Sequence, residues 1–337
     1  MATFREIATL AGVSPSTVSR VINGNVPVRE NARNRVLHAM KKLELQSLKE
    51  SAHTSSRNVG IIMPAVSASN LPRHPSLYST VLSFIEGLSS YNIGNTTIVL
   101  DENDNSITDV FKNRYMSAYL ILGTSEEQES LLLKYLSEKK VPFLFINRLL
   151  DDKHASSVNI DDEQATEIAV NHLIELGHRK IAFIGGNSNY KNTKRRFSSY
   201  VKTLQRNGLE VNTDYIFYGD FSEFTGYDMG KKILTLSERP TAACAASDSI
   251  AIGFINCMKD HGYSIPDDFS VIGFGNIEAC EYIVPHLTTI SQNAREMGHV
   301  AATALIQMMD NPVICRQQIL INTELIVRNS CKKIASQ

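Results

Sequence analysis

From Asn58 onward the chain alternates short apolar runs with longer helical patterns, and this alternation limits the fold more than any other feature. The runs 59–63, 96–100, 118–122, 142–146, 180–185, 216–218, 241–246 and 269–274 predict strands. The stretches near 77–91, 126–139, 162–176, 193–207, 224–237 and 248–262 predict helices between them. Runs without polar alternation belong to strands covered on both faces, so the sheets should be parallel and wrapped by helices. The 280 residues after Arg57 exceed what one such sheet carries. Two α/β lobes are expected, with a ligand crevice at the C-terminal ends of their strands.

Ahead of this body the apolar periodicity stops over 46–57, QSLKESAHTSSR, a polar linker and the clearest domain boundary in the chain. Three short helical patterns precede it. The first, about 4–11, puts Ile7, Leu10 and Ala11 on one face, and Gly12-Val13 breaks it. Ser14 then stands as an N-cap with Pro15 at the first helical position, where a missing N–H costs nothing. The second helix runs to about Ile22, burying Val18, Val21 and Ile22, and ends in Asn23-Gly24-Asn25, residues suited to a left-handed cap. A third, about 29–43, turns Val36, Met40 and Leu43 inward.

Helix, glycine-containing turn and capped helix make a helix-turn-helix, which lays its second helix in the major groove of DNA. The outward residues Pro15, Ser16, Thr17, Ser19 and Arg20 are short or basic. Short side chains allow close approach to base edges, and Arg20 can give two hydrogen bonds to a guanine. A surface helical hairpin with no role on DNA would carry the same periodicity, so charge is needed to weigh the two. Residues 1–57 hold nine Lys/Arg against four Glu, a net of +5, whereas the remainder holds 25 Lys/Arg against 31 Asp/Glu. A basic head on an acidic body points to a polyanion at the head alone.

Other classes find little support. No stretch approaches the ~18 apolar residues of a membrane helix, and the N-terminus lacks a basic-then-apolar leader pattern, so a cytoplasmic protein with no membrane partner is expected. The five cysteines form no CxxC pair and no metal spacing, which predicts reduced thiols and no metal. Gly273-Phe274-Gly275 opens a dinucleotide fingerprint, but position 278 is Glu. His178 reads as a helix-end cap, and Asp161-Asp162 and Asp267-Asp268 as cap and turn residues. No enzyme and no cofactor are expected.

The segment AGVSPSTVSRVINGN resembles the N-terminal signature of the lactose/galactose repressor (LacI/GalR) family of bacterial transcription regulators. The likeness continues through NHLIELGHRKIAFIGG (171–186), SDSIAIG (247–253), PDDFSVIGF (266–274) and PHLTTISQN (285–293). It implies an α/β fold: a small all-α helix-turn-helix head followed by a two-lobed, periplasmic-binding-protein-like body with parallel sheets. The head would span 1–45, the linker or hinge 46–57 and the body 58–330. Lobe 1 would take about 58–157 and 290–318, and lobe 2 about 158–289 and 319–330.

The resemblance further implies a homodimer on a pseudo-palindromic operator of double-stranded DNA, with helices such as 77–91 at the dimer surface and a small effector, a sugar or sugar derivative, between the lobes. Pro15, Ser16 and Arg20 would read bases, Thr17, Ser19 and Asn23 would touch the backbone, and Thr3, Ser14 and Asn25 complete the DNA-contacting set. In the body, Asn147, Arg196, Ser247, Asp248 and Gln292 would hold effector hydroxyls and Phe221 would stack on the sugar face. Asp248 alone could instead be a helix cap. Two departures stand out. Gly275 replaces an Asp usual in the family, leaving Asn276 as the substitute acceptor. The segment LELQSLKESAHTSS is shorter than the usual hinge and offers only Leu48 as a wedge for the minor groove. These features imply a sugar-controlled repressor of carbohydrate-utilisation genes. The alternative is a DNA binder of the same fold controlled by a protein partner or a non-sugar corepressor.

Overall fold

The computed structural model describes residues 4–23, 31–36, 38–39, 57–64, 74–100, 111, 116–124, 126–148, 155–311 and 316–334. Two compact units result, Met1–Arg57 and Asn58–Gln337.

In the first unit, α1 (Phe4–Ala11) and α2 (Pro15–Asn23) are joined by a turn at Gly12, whose φ of +62° suits glycine. Ser14 caps α2: its carbonyl accepts from the N–H groups of Thr17 and Val18, and its Oγ accepts from Thr17 N at 3.3 Å. A third helix, α3, is described over 31–36 and 38–39. The small core joins Ile7, Ala8, Ala11, Val18, Val36 and Ala39, with Val13 and Val21 packed against it. Leu10, expected inside, is 43 % exposed. At 100° per residue, Ile7, Ala8 and Ala11 span one face and Leu10 falls beside it. Met40 and Leu43 lie outside the described residues.

Among the described residues the second unit holds two six-stranded sheets. The first, in the order β11-β5-β4-β3-β1-β2, is built from β1 (Asn58–Pro64), β2 (Gly94–Leu100), β3 (Ala118–Leu122), β4 (Phe143–Ile146), β5 (Ser156–Ile160) and β11 (Gln318–Ile321), all parallel. The second, β12-β10-β9-β8-β6-β7, comprises β6 (Ile181–Gly185), β7 (Ile216–Tyr218), β8 (Ala242–Ala245), β9 (Ser270–Gly275), β10 (Thr288–Ser291) and β12 (Glu324–Ile326). Around the first lie α4 (Pro75–Ser89), α5 (Glu126–Lys139) and α10 (Ala294–Asp310). The second carries α6 (Asp162–Glu175), α7 (Lys191–Arg206), α8 (Glu223–Leu234) and α9 (Asp248–Asp260). The interior strands β3, β4, β6, β8 and β9 are buried at every residue, as unbroken apolar runs require.

The chain passes between the sheets three times, each time from the C-terminal end of a strand. The first passage follows Ile160 rather than Ser157, because β5 belongs to the first sheet. The second follows Ser291, so β10 stays in the second sheet, and the third follows Ile321, so β11 stays in the first. That last passage also breaks the all-parallel expectation. It enters the second sheet at its C-terminal edge with no helix to reverse it, so β12 must run antiparallel to β10, Glu324 opposite Ser291.

Candidate functional site

A cavity of about 230 Å³ opens between the C-terminal ends of the two sheets. Its lining comes from the starts of α4, α6, α7 and α9, from the last residues of β5 and β9, and from the segments after β3, β4, β7, β8, β9 and β10. Six residues singled out from the sequence line it: Asn147, Arg196, Phe221, Ser247, Asp248 and Gln292.

Arg196 is its most constrained side chain. Projecting from α7 and 5 % exposed, it donates Nε to Asp162 Oδ1 at 2.7 Å and Nη1 to the Ala246 carbonyl at 2.6 Å. Its guanidinium lies 3.7 Å from the centroid of the Phe274 ring. One side chain thereby ties α6, the end of β8 and β9 together, and leaves a flat, charged edge beside the cavity. Asp162, read from the sequence as a cap, has a different job. Asp161 caps α6 by accepting from Glu163 N and Gln164 N, while Asp162 is 8 % exposed and neutralises Arg196.

Ser247 and Asp248 divide two roles in the same way. Ser247 Oγ accepts from Ile250 N at 3.2 Å and is the N-cap of α9. Asp248 points across to the neighbouring strand ends, accepting from Ile277 N at 2.9 Å and from Thr289 Oγ1. Burial pushes its carboxyl above the usual carboxylate range, against these hydrogen bonds. Gly273 and Gly275 make room for it: a Cβ at these positions would lie 2.3 and 2.9 Å from its oxygens.

Phe221 lies over the backbone of Gly186, where a Cβ would fall 2.3 Å from its Cζ. Tyr190 extends this platform, its ring stacked at 6.3 Å and 9°. Asn147 turns at φ +54° after β4 with its N–H on the Val158 carbonyl. Next to it, Arg148 is 9 % exposed and donates to Glu129, which also lies 3.8 Å from Lys191 Nζ. Lys191 opens α7 and Glu129 belongs to α5, so this contact bridges the cleft between the two sheets' helices. His74, at the start of α4, also faces the cavity, its imidazole pushed down by burial and held up in part by Asp220.

Asn276 does not line the cavity. Its Oδ1 accepts from Arg328 Nη2 at 2.9 Å, and with φ +55° it turns away as the strand ends. Arg148, Asn159, Asp162, Tyr190 and Arg195 line the cavity without having been singled out for it. For two of them neighbourhood in sequence was the available signal, since Arg148 follows Asn147 and Arg195 precedes Arg196.

In the head, Ser14, Pro15 and Ser16 are exposed, Thr17 and Ser19 half-buried and Val18 buried, so the start of α2 presents short polar groups outward. The Ser14 hydroxyl is engaged with those of Ser16 and Thr17 at 2.8 and 2.9 Å. Arg20 and Asn23 belong to α2 by backbone. Thr3, Asn25 and Leu48 lie outside the described residues.

Comparison with known proteins agrees with both units. The profile of bacterial regulatory proteins of the lacI family matches residues 3–46, and that of the periplasmic binding protein-like domain matches 170–331. The probable HTH-type transcriptional repressor ExuR of Bacillus subtilis (strain 168) is 28 % identical over 340 residues, covering 100 % of both chains. The HTH-type transcriptional repressor PurR of Haemophilus influenzae (strain PittEE) is 30 % identical over 348 residues, covering 99 % of this chain and 100 % of its own. A solved complex of the transcriptional regulator CelR with cellobiose superposes with a TM-score of 0.74 at 25 % identity, covering 98 % of this chain and 100 % of its own. Head and body match in the same order along the whole length, and the chain belongs to the lacI family of bacterial regulatory proteins.

Proposed function

We propose that this protein is a cytoplasmic, operator-binding transcriptional repressor, not an enzyme, whose affinity for DNA is set by a small sugar-like effector held between its lobes. The observation that carries the reading is the cleft: Arg196, Asp248, Ser247, Asn147 and Gln292 line one cavity with the aromatic ring of Phe221, at the mouths of the two sheets. Planar donors and acceptors around a ring fix the orientation of hydroxyl groups. Ser14, Pro15, Ser16, Thr17, Ser19, Arg20 and Asn23 on or beside α2, with Thr3 and Asn25, contact the operator, and Leu48 is the candidate wedge. An effector that favours one arrangement of the lobes must change operator affinity, and the operator must change effector affinity by the same factor. The dimer forms through α4, where Tyr78 and Leu82 are 45 % and 41 % exposed.

Fluorescence anisotropy on the DNA upstream of the protein's own gene, at fixed salt and with a sugar panel, tests this. Specific binding altered by one compound is expected. Equal affinity for this and random DNA would overturn the reading. Arg20→Ala should cost about 1–3 kcal/mol of specific binding and relax one operator position; equal losses on both DNAs would refute base reading. Leu82→Asp should give monomers in light scattering.

A further inference from the structure

The cavity is lined by more cations than its own carboxylates occupy. Asp162 is taken by Arg196, and Glu129 is shared between Arg148 and Lys191. Asp248 is committed elsewhere, its two oxygens held by Thr289 and Ile277 N. Arg195 lines the same cavity, half-buried, and among the described residues no carboxylate, carbonyl or ring meets its guanidinium. A guanidinium partly withdrawn from water is stabilised by an anion, and its planar fork matches an oxyanion in two hydrogen bonds.

An independent feature sets the other end of the ligand. Asn159 lines the cavity and is 3 % exposed. Its amide nitrogen donates to the Arg148 carbonyl at 3.1 Å and to Ser157 Oγ at 3.0 Å, which fixes the orientation of the group. Its Oδ1 is buried and has no partner among the described residues. A fixed carbonyl acceptor is satisfied by a hydroxyl or N–H and repels an oxyanion, so a ligand that meets both residues carries both kinds of group. The small volume, below that of drug-sized sites, suits one compact molecule.

We propose that the cleft ligand is a small hydroxylated molecule bearing one oxyanion, a carboxylate or a phosphate ester, which pairs with Arg195 while a hydroxyl donates to Asn159 Oδ1. This rests on the reading of the cleft as an effector site. A neutral sugar would satisfy Asn159 and leave Arg195 unmatched.

Titration calorimetry on the full-length protein tests the proposal with matched compounds: D-glucose, D-glucuronate and D-glucose 6-phosphate; D-galactose and D-galacturonate; D-fructose and D-fructose 6-phosphate. In at least one set the anionic member should bind about tenfold or more tightly than its neutral parent. Which member wins separates carboxylate from phosphate. Arg195→Gln should remove that advantage and Arg195→Lys restore part of it, with far-UV circular dichroism showing both variants folded. Neutral parents binding as tightly as their anions, no member binding, or an anion preference that survives in Arg195→Gln would each overturn it. Calorimetry needs no DNA, so failure of operator binding refutes the repressor reading alone, and a neutral preference refutes the anion alone.

Discussion

The Arg196–Asp162 pair allows a quantitative test of how the cleft is held open. Both partners are buried, at 5 % and 8 % exposure, and the Nε to Oδ1 distance is 2.7 Å. Arg196→Met keeps most of the side-chain volume but leaves the Asp162 carboxylate without a cation and the Ala246 carbonyl without a donor. Breaking a buried pair from one side costs about 3–5 kcal/mol, because the surviving charge is uncompensated. Replacing both members with apolar groups removes that penalty, so Asp162→Leu/Arg196→Met should be close to wild type and far from additive. The double variant should retain at least about 2 kcal/mol more stability than the two single losses predict together. The chain has no tryptophan, so urea unfolding is best followed by far-UV circular dichroism. A loss below about 1 kcal/mol in Arg196→Met, or additivity within about 0.5 kcal/mol, would refute the argument. The double variant also separates fold from recognition: it should stay folded and bind operator, yet lose its response to effector.

His178 hydrogen-bonds Thr241 Oγ1, Ser270 Oγ and the Lys332 carbonyl, and burial pushes its imidazole below the ordinary value of 6.5. Its contribution is complete above that value and is lost as pH falls through the lowered one, so Tm should drop on acidification from pH 7, and less steeply in His178→Gln; parallel profiles would exclude His178 as a source of the slope. Gly186→Ala places a methyl 2.3 Å from Phe221 Cζ, displaces the ring and should weaken effector binding roughly tenfold in calorimetry, with operator affinity kept. In Gly253→Ala the new Cβ would stand 1.8 Å from the Glu223 carbonyl, where α8 and α9 touch backbone to backbone. A loss of about 1–3 kcal/mol or more is expected on thermal unfolding, and an unchanged Tm would contradict that contact.

The parts of the fold legible in the sequence are those fixed by neighbours in the chain. Pro15 and Ser14 set the start of α2 locally, and the strands 118–122 and 216–218 fall where uninterrupted apolar runs put them. What escaped was the helix α10 and the strands β5, SSVNI, β10, TTIS, β11 and β12; of these β5 and β10 read as polar yet are buried at every residue. In these two strands several polar groups are satisfied from afar, while Asn159 Oδ1 has no partner among the described residues. Ser156 Oγ accepts from Gln317 N, Thr288 N donates to Ser330 Oγ, and Thr288 Oγ1 accepts from Arg328 N. Such partners are 40 to 161 residues away, beyond any local window, and the lobe boundaries drawn from the sequence moved for this reason. His178 escaped in the same manner: its helix-end position suggested a cap, whereas its ring nitrogens meet side chains 63 and 92 residues on. In the cleft, Asp162 looked like its neighbour Asp161, and only the arrival of Arg196 from α7 tells the two apart.

Gly275 ties these strands to the charge of the cleft. The family resemblance places an acid there, and its loss suggested Asn276 as a replacement acceptor. Asn276 is occupied with Arg328 instead, so the acid is not replaced in kind. A Cβ on residue 275 would stand 2.9 Å from Asp248 Oδ2 and 2.9 Å from Ser76 Oγ, on a backbone at φ +142° that favours glycine. A second carboxylate in that position would crowd Asp248, whose charge burial already disfavours. Glycine therefore does two things at once. It leaves Asp248 free to accept from Ile277 N and Thr289 Oγ1, and it keeps a further carboxylate away from Asp248 and Ser76, which line a cavity where, among the described residues, Arg195 has no carboxylate of its own. By shifting that balance toward cations, the departure from the family pattern favours an anionic ligand over the neutral sugar that the pattern alone would suggest.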